Sequence, residues 1–264
     1  MSERASVYYP GLDVEIEQNP LGFKYGDGVY GPAPERRTLD QIRGSLRNPD
    51  SDGPEVVYSI AMDVAKERHR SVLEERMLLF GIVTYASGRI GDEPVRSQGH
   101  IHRVSEHSGW SPPEIYEIWS GKAYIYMQEK AEDDPGRCFA VLAKAGDVVV
   151  VPPFWAHATI SADPNQALTF GAWCDREYGF EYDDVKAHKG LAWYPVVEDN
   201  GDIRWVRNEN YRLSELIVKE PGDYSRLGIR KNKPIYEQFE DDPDLFRFVS
   251  KPGIKGKEWI AFAP

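Results

Sequence analysis

Two short stretches, 99–121 and 146–157, decide what this chain can fold into. The first reads GHIHRVSEHSGWSPPEIYEIWSG and the second reads GDVVVVPPFWAH. His100 and His102 are two residues apart, and on a β-strand residues i and i+2 face the same side of the sheet. Both imidazoles are therefore predicted to point into one cavity, where they could share a metal ion.

A third imidazole and a carboxylate complete the candidate site. His157 ends the second stretch, and Glu114 opens the apolar run that follows His102. Three imidazoles and one carboxylate form a mixed nitrogen and oxygen site that suits Fe2+, Mn2+, Ni2+ or Zn2+. Octahedral coordination would leave two positions for a substrate. These residues thus predict one divalent transition metal per subunit.

The spacing of these residues resembles the two motifs of the cupin superfamily. The first motif combines H-x-H with a glutamate that precedes a glycine by seven residues, as Glu114 precedes Gly121. In the second motif a proline stands between a glycine and a histidine, as Pro152 stands between Gly146 and His157. The resemblance implies an all-β fold, the double-stranded β-helix or jelly-roll-like barrel of cupins.

The identity of the carboxylate has an alternative. Eleven residues separate His102 from Glu114, which is more than cupins usually have, and Glu106 lies at the shorter spacing. We favour Glu114 because it begins a strand-like run that ends at Gly121. Glu106 instead lies in a loop-like segment, 104–113.

Apolar runs along the rest of the chain agree with an all-β fold. They are of strand length and rich in β-branched or aromatic residues. The runs are 56–64, 77–86, 115–121, 123–128, 138–143, 147–153 and 167–174. Helix signals are few: one short helix is predicted over 38–43, where Thr38 is followed three residues later by Gln41.

A narrower resemblance comes from the residues that flank the motifs. The segments that carry it are Arg37-Thr38-Leu39, Val56-Val57-Tyr58, Pro113-Glu114-Ile115-Tyr116, Ser120-Gly121-Lys122, Val151 through His157, and Tyr178 through Tyr182. Together they resemble the cupin-type (archaeal-type) glucose-6-phosphate isomerases. The likeness predicts a core over 37–208, an N-terminal extension over 1–36, and a C-terminal extension over 209–264 that packs on the core or on a partner subunit.

This resemblance implies an aldose–ketose isomerase that interconverts glucose 6-phosphate and fructose 6-phosphate. The reaction would pass through a metal-chelated cis-enediolate or through a hydride shift. The implied metal ligands are His100, His102, Glu114 and His157, and Glu114 is also the candidate proton carrier. Tyr116, two residues along the same strand, is a further catalytic candidate. Lys122 is predicted to attract an anionic substrate.

Substrate contacts carry over less completely. The predicted contacts are Tyr58, Thr84, Ser97, Gly99, Trp173 and Tyr182. Tyr58, Ser97 and Gly99 fall on family positions that bind the phosphate. Trp173 and Phe180 stand where the family has a tyrosine and a histidine. These departures leave two alternatives open: an isomerase of a related sugar with another anion at C6, such as a 6-sulfonated hexose, or a cupin dioxygenase.

Composition limits the partners. The chain of 264 residues has 32 basic and 43 acidic side chains, a net charge of −11, so a nucleic-acid or anionic-membrane partner is not expected. Two cysteines form no disulfide framework, and the N-terminus has no apolar run typical of a secretory signal. We therefore expect a cytoplasmic enzyme with a small anionic sugar as substrate. A homodimer is also expected, since open sheet edges invite pairing.

Overall fold

The structure is a computed structural model that describes residues 8–264. The first seven residues of the predicted N-terminal extension lie outside the described residues. The strands are β1 Val14–Gln18, β2 Leu21–Tyr25, β3 Val29–Tyr30, β4 Glu35–Thr38, β5 Val56–Met62, β6 Ala65–Lys66, β7 Leu78–Tyr85, β8 Arg89–Ile90, β9 Glu93–Pro94, β10 Ile101–His102, β11 Glu114–Ser120, β12 Lys122–Gln128, β13 Cys138–Lys144, β14 Val148–Val151, β15 Ala156–Ser161, β16 Leu168–Asp175, β17 Phe180–Glu181, β18 Trp193–Val197, β19 Ile203–Arg207 and β20 Leu216–Lys219. The α-helices are α1 Leu39–Ile42, α2 Arg70–Glu75, α3 Asp183–Ala187, α4 Ile235–Asp241, α5 Arg247–Ser250 and α6 Gly256–Ile260, and 3-10 helices cover Arg43–Ser45, Glu67–His69, Ser225–Leu227 and Pro252–Lys255.

Two larger sheets form the barrel. One has six strands in the order β14-β11-β16-β7-β5-β4, and all its neighbours are antiparallel. The other has four strands in the order β15-β12-β13-β20, of which β13 and β20 run parallel. Side chains of both sheets share one buried apolar core, to which Tyr85 and Phe170 contribute from the first sheet and Ile125 and Phe139 from the second. The predicted all-β cupin fold is confirmed.

Period-two alternation gives the six-stranded sheet a second apolar face. Trp119 and Trp173 point away from the barrel interior, and the C-terminal segment covers them. The Trp173 ring stacks on Tyr236 of α4, with centroids 5.6 Å apart, and lies 5.5 Å from Phe246. This packing buries an outer face that would otherwise expose large aromatic side chains. The division of the chain at residues 37 and 208 stays a prediction.

Local signals account for the turns that position the site. The helix predicted over 38–43 is present as α1, and the Thr38 N–H donates a hydrogen bond of 2.8 Å to Gln41 Oε1. Gly121 joins β11 to β12 with φ of 74°, and a Cβ there would lie 2.7 Å from the carbonyl oxygen of Ala167. Only glycine fits this position without strain. None of the helices within residues 8–264 combines the length and apolar character needed to cross a bilayer.

Candidate metal centre

Four predicted ligands converge at one end of the barrel interior. His102 comes from β10, Glu114 from the start of β11 and His157 from β15, while His100 precedes β10. Backbone hydrogen bonds of 3.0 and 2.9 Å join His100 to His157 in both directions. One ligand atom from each of the four residues lies within 4.8 Å of the others. The structure places Glu114 rather than Glu106 in this cluster.

Backbone carbonyls orient two of the imidazoles. His102 Nδ1 lies 2.9 Å from the carbonyl oxygen of Pro112, and His157 Nδ1 lies 3.1 Å from that of Trp155. A carbonyl only accepts, so each Nδ1 carries a proton, and Nε2 is the ring atom left to face a metal ion. Both Nε2 atoms lie 3.2 Å from Oε2 of Glu114. This is the orientation that a metal-binding histidine requires.

Burial and mutual charge keep the cluster ready to bind a cation. Burial lowers the pKa of His100 well below its usual value, and repulsion by the other two imidazoles lowers it further. Burial also lowers the pKa of His157. For His102 burial acts in the same direction, but the hydrogen bond and the charge of Glu114 outweigh it and raise the pKa. For Glu114 burial opposes ionisation, but hydrogen bonds from His102 and His157 outweigh it and hold the pKa of the carboxyl well below its usual value. A metal ion requires three neutral imidazoles and an ionised carboxylate, so its binding would displace the proton that Glu114 favours on His102.

One unpaired atom tests the fit of a metal. His100 Nε2 is buried and has no hydrogen-bond partner. A buried polar atom without a partner is costly unless something else satisfies it. A divalent ion held by the four side chains would supply that partner, and the three-nitrogen, one-oxygen donor set fits Fe2+, Mn2+, Ni2+ or Zn2+.

Two further side chains hold the carboxylate in place. The Tyr116 hydroxyl donates a hydrogen bond of 2.6 Å to Glu114 Oε2, and the Cys174 thiol lies 3.2 Å from Oε1. Burial, and then the nearby charge of Glu114, raise the pKa values of Tyr116 and Cys174 well above the usual range. Both groups therefore stay protonated and act as hydrogen-bond donors.

A cavity leads to this cluster. Predicted substrate contacts Tyr58, Ser97 and Tyr182 line it together with His100 and Glu114. Its volume is about 60 Å³.

Two aromatic rings lie beside His100 in the cavity wall. The ring of Phe180 lies 4.6 Å from that of His100, and the ring of Tyr182 lies 6.1 Å from it. Both aromatic side chains line the same cavity. These two rings therefore form the part of the cavity wall beside His100.

The structure corrects three of the substrate and catalytic assignments. Trp173 is fully buried on the outer face of β16, because the alternate residues Ala172 and Cys174 face the interior. Thr84 likewise points away from the cavity, and its hydroxyl hydrogen-bonds to Thr169 at 3.0 Å.

Lys122 is the third correction. It begins β12, its side chain is exposed, and it lines a different cavity beside Lys144 and Tyr224. Gly99 lies between cavity-lining residues with φ of 88°, and its predicted contact with substrate stays a prediction.

Gln98 and Arg37 are among the cavity-lining residues that the sequence did not predict. Gln98 has the same parity as His100 and His102, so period-two alternation could have found it. Arg37 lines the cavity too, but Arg36 and Arg37 are adjacent in the sequence, and no local signal shows which of them faces inward.

The chain is similar in sequence to known glucose-6-phosphate isomerases. Residues 45–214 match the family described as Glucose-6-phosphate isomerase (GPI). Over 205 residues the chain is 27% identical to the glucose-6-phosphate isomerase of Pyrococcus horikoshii, and the match covers 74% of this chain and 98% of that protein. A putative glucose-6-phosphate isomerase 1 of Rhizobium meliloti is 25% identical over 141 residues, which cover 53% of this chain and 61% of the relative.

Solved structures with partial likeness include an oxalate decarboxylase from Bacillus subtilis, with a TM-score of 0.35, 18% identity, and coverage of 50% of this chain and 29% of that one. An oxalate oxidase gives a TM-score of 0.30, 14% identity, and coverage of 39% and 45%. Likeness at this level says nothing about activity. The barrel and its histidine–glutamate cluster define a cupin with a candidate metal centre. Within the cupins, this chain belongs to the glucose-6-phosphate isomerase family.

Proposed function

We propose that this protein is a metal-dependent aldose–ketose isomerase that interconverts glucose 6-phosphate and fructose 6-phosphate. The observation that carries the proposal is the cluster of His100, His102, Glu114 and His157 at a cavity in a chain of this family. Neutral imidazoles and an ionised carboxylate would hold one divalent transition metal there. When bound, such an ion supplies a Lewis acid that makes the proton at C2 of an aldose easier to remove.

Glu114 is the candidate that carries the proton between C2 and C1. Its carboxylate is ionised, and it lines the cavity into which the sugar would enter. Hydrogen bonds from Tyr116 and Cys174 restrain both of its oxygens. A restrained base needs little reorganisation when the proton transfers. Tyr116 thereby serves as a positioning residue and, because it lines the cavity, as a donor within reach of the sugar.

Side chains along the cavity wall would bind the rest of the sugar. Tyr58, Ser97 and Tyr182 offer hydroxyl groups to it. Ser97 Oγ accepts a hydrogen bond of 3.1 Å from the Thr159 N–H, which fixes the serine side chain. The apolar neighbours Phe170 and Phe180 exclude water from the site. A homodimer and a cytoplasmic location stay predictions.

An isomerase assay tests the proposal. Protein stripped with chelator is reloaded separately with Fe2+, Mn2+, Ni2+ or Zn2+, and fructose 6-phosphate formation from glucose 6-phosphate is followed. We expect activity with at least one ion and loss of activity with chelator. No conversion with any of these ions refutes the proposed reaction.

Two matched glutamine variants test the role of the carboxylate. Glu114→Gln replaces the charged carboxylate by a neutral amide, which removes both the anionic metal ligand and the proposed base. We expect kcat to fall by at least about 100-fold. Glu106→Gln changes an exposed loop carboxylate at the alternative spacing, and we expect nearly wild-type activity. The reverse outcome would transfer the role to Glu106.

A further inference from the structure

One cation lies in the wall of the cavity that His100 and Glu114 line. Arg37 is in β4 and pairs across the sheet with Tyr58 in β5, so the two side chains share a face. Among the described residues that line this cavity, Arg37 is the single lysine or arginine. The chain as a whole has a net charge of −11, so this guanidinium is a local positive charge in an acidic protein.

The guanidinium of Arg37 is incompletely paired. Its Nη2 lies 2.9 Å from Oε1 of Glu35, whose side chain is 66% exposed. Its Nε is buried and has no hydrogen-bond partner. An exposed ion pair contributes little, whereas a buried donor without an acceptor is unfavourable. An acceptor that enters the cavity would satisfy Nε and could share the guanidinium with Glu35.

Neighbouring polar groups extend this surface toward the histidines. Tyr182 lies near both sites: its ring is 6.1 Å from the His100 ring, and the charge of Arg37 acts on its hydroxyl. The Tyr182 hydroxyl also interacts with the Gln98 side chain, whose Oε1 is buried without a partner. The cavity therefore offers an unpaired cationic donor and an unpaired neutral acceptor.

We propose that Arg37 selects an anionic group on the sugar, and that Gln98 accepts a hydrogen bond from one of the sugar hydroxyls. This inference rests on the proposed isomerase function and adds to it the residue that decides the substrate class. A planar guanidinium presents parallel N–H groups that match the oxygens of a phosphate or a sulfonate. The shared chemistry is a tetrahedral oxyanion at C6.

Kinetic constants for three substrates test the selection. They are glucose 6-phosphate, 6-deoxy-6-sulfoglucose and glucose, measured with wild type, Arg37→Gln and Arg37→Lys. Arg36→Gln is the matched control because it removes the same charge from the same strand, at an exposed side chain outside the cavity lining. We expect Arg37→Gln to lower kcat/KM for the anionic substrate about 10- to 100-fold, chiefly through KM, and to lower kcat/KM for glucose far less. The preferred anion distinguishes phosphate from sulfonate.

Binding to the metal-free protein separates this inference from the isomerase function. Calorimetry in chelator compares 6-phosphogluconate with gluconate, which lacks the phosphate. We expect wild type and Arg36→Gln to prefer 6-phosphogluconate about tenfold or more, Arg37→Lys to keep part of the preference, and Arg37→Gln to lose it. Far-UV circular dichroism confirms that each variant is folded.

Two results would overturn the role of Arg37: no preference for the phosphate in wild type, or the same preference in Arg37→Gln. A protein that shows the Arg37-dependent preference but isomerises no sugar with any metal would refute the proposed function and leave the anion site standing.

Discussion

Replacing Glu117 with glutamine is expected to remove a pH-dependent destabilisation of the fold. Glu117 lies on the outer face of β11 and is fully buried under the C-terminal segment. Its Oε1 accepts a hydrogen bond of 2.8 Å from the Ile235 N–H, and its Oε2 accepts one of 3.2 Å from Trp119 Nε1. Burial raises the pKa of Glu117 from 4.5 to about 7, against the opposing hydrogen bonds from Ile235, Tyr8 and Trp119. The charge of Glu237 raises this pKa further.

The sign of the effect follows from proton uptake. Between pH 4.5 and pH 7 the folded protein holds a proton on Glu117 that the unfolded chain has released. Stability is therefore highest below the unfolded pKa and falls as the pH rises toward the folded pKa. A shift from 4.5 to about 7 corresponds to about 3 kcal/mol once the pH exceeds 7, and most of this loss falls between pH 5 and pH 8.

Urea unfolding at several pH values measures this loss. Glu117→Gln keeps an oxygen for the Ile235 N–H but cannot ionise, so its free energy of unfolding should change less between pH 5 and pH 8 than that of wild type, by roughly 2–3 kcal/mol. The new amide N–H₂ faces the donor of Trp119, which lowers stability by about 1–3 kcal/mol at every pH. This constant loss does not alter how the free energy of unfolding of the variant changes with pH, so the comparison of pH dependence with wild type still holds.

Glu132→Gln is the control, because its side chain is 74% exposed and should leave the slope unchanged. The reasoning fails if Glu117→Gln and wild type lose equal stability between pH 5 and pH 8. The reasoning also fails if Glu132→Gln flattens the slope as much as Glu117→Gln does.

Substitutions at four further positions test the site and its corrected boundaries. His100→Ala should abolish the rise in Tm that Mn2+ gives to chelator-treated wild type, and an equal rise in both proteins would contradict the cluster as the metal site. Phe180→Ala removes a ring 4.6 Å from His100, so EDTA should extract the metal several-fold faster; an unchanged rate would show that Phe180 does not restrict access. Trp173→Ala should lower the free energy of unfolding, measured in urea, by about 3–5 kcal/mol. The milder Trp173→Phe should keep KM for glucose 6-phosphate within about twofold of wild type. A tenfold rise in that KM would return Trp173 to the substrate site. Lys122→Ala should change kcat/KM by less than about twofold because its side chain lines a separate cavity, and a large loss would restore its catalytic assignment.

Motif spacing, together with the resemblance to cupins, was enough to anticipate the fold class and the cluster of candidate ligands. His100 and His102 share parity on one chain segment, and Glu114 precedes its glycine by the interval that a strand and its turn require. Strand-length apolar runs predicted β5, β7 and β11 to within a few residues. These features depend on neighbours along the chain, where the period of two is set by backbone geometry.

The short C-terminal helices were not predicted, although Ile235, Tyr236 and Phe239 in α4 have helical spacing. Seven residues are too few to distinguish a helix from a loop by periodicity. What makes α4 a helix here is tertiary packing, because its aromatic side chains bury the outer face of the barrel against Trp173.

Which side chains from distant parts of the sequence meet in the cavity depends on how the strands assemble into the barrel. Spacing shows that Ala172 and Cys174 share a face and that Trp173 lies on the other, but the facing sheet decides which of these faces lines the cavity. Arg37 gains its place by pairing in register with Tyr58. Sequence alone therefore predicted the three clustered histidines: local periodicity aligns His100 with His102, and the motif resemblance supplied His157. The choice between two carboxylates, the inward arginine and the buried Glu117 depended on contacts between strands, whose register no local pattern specifies.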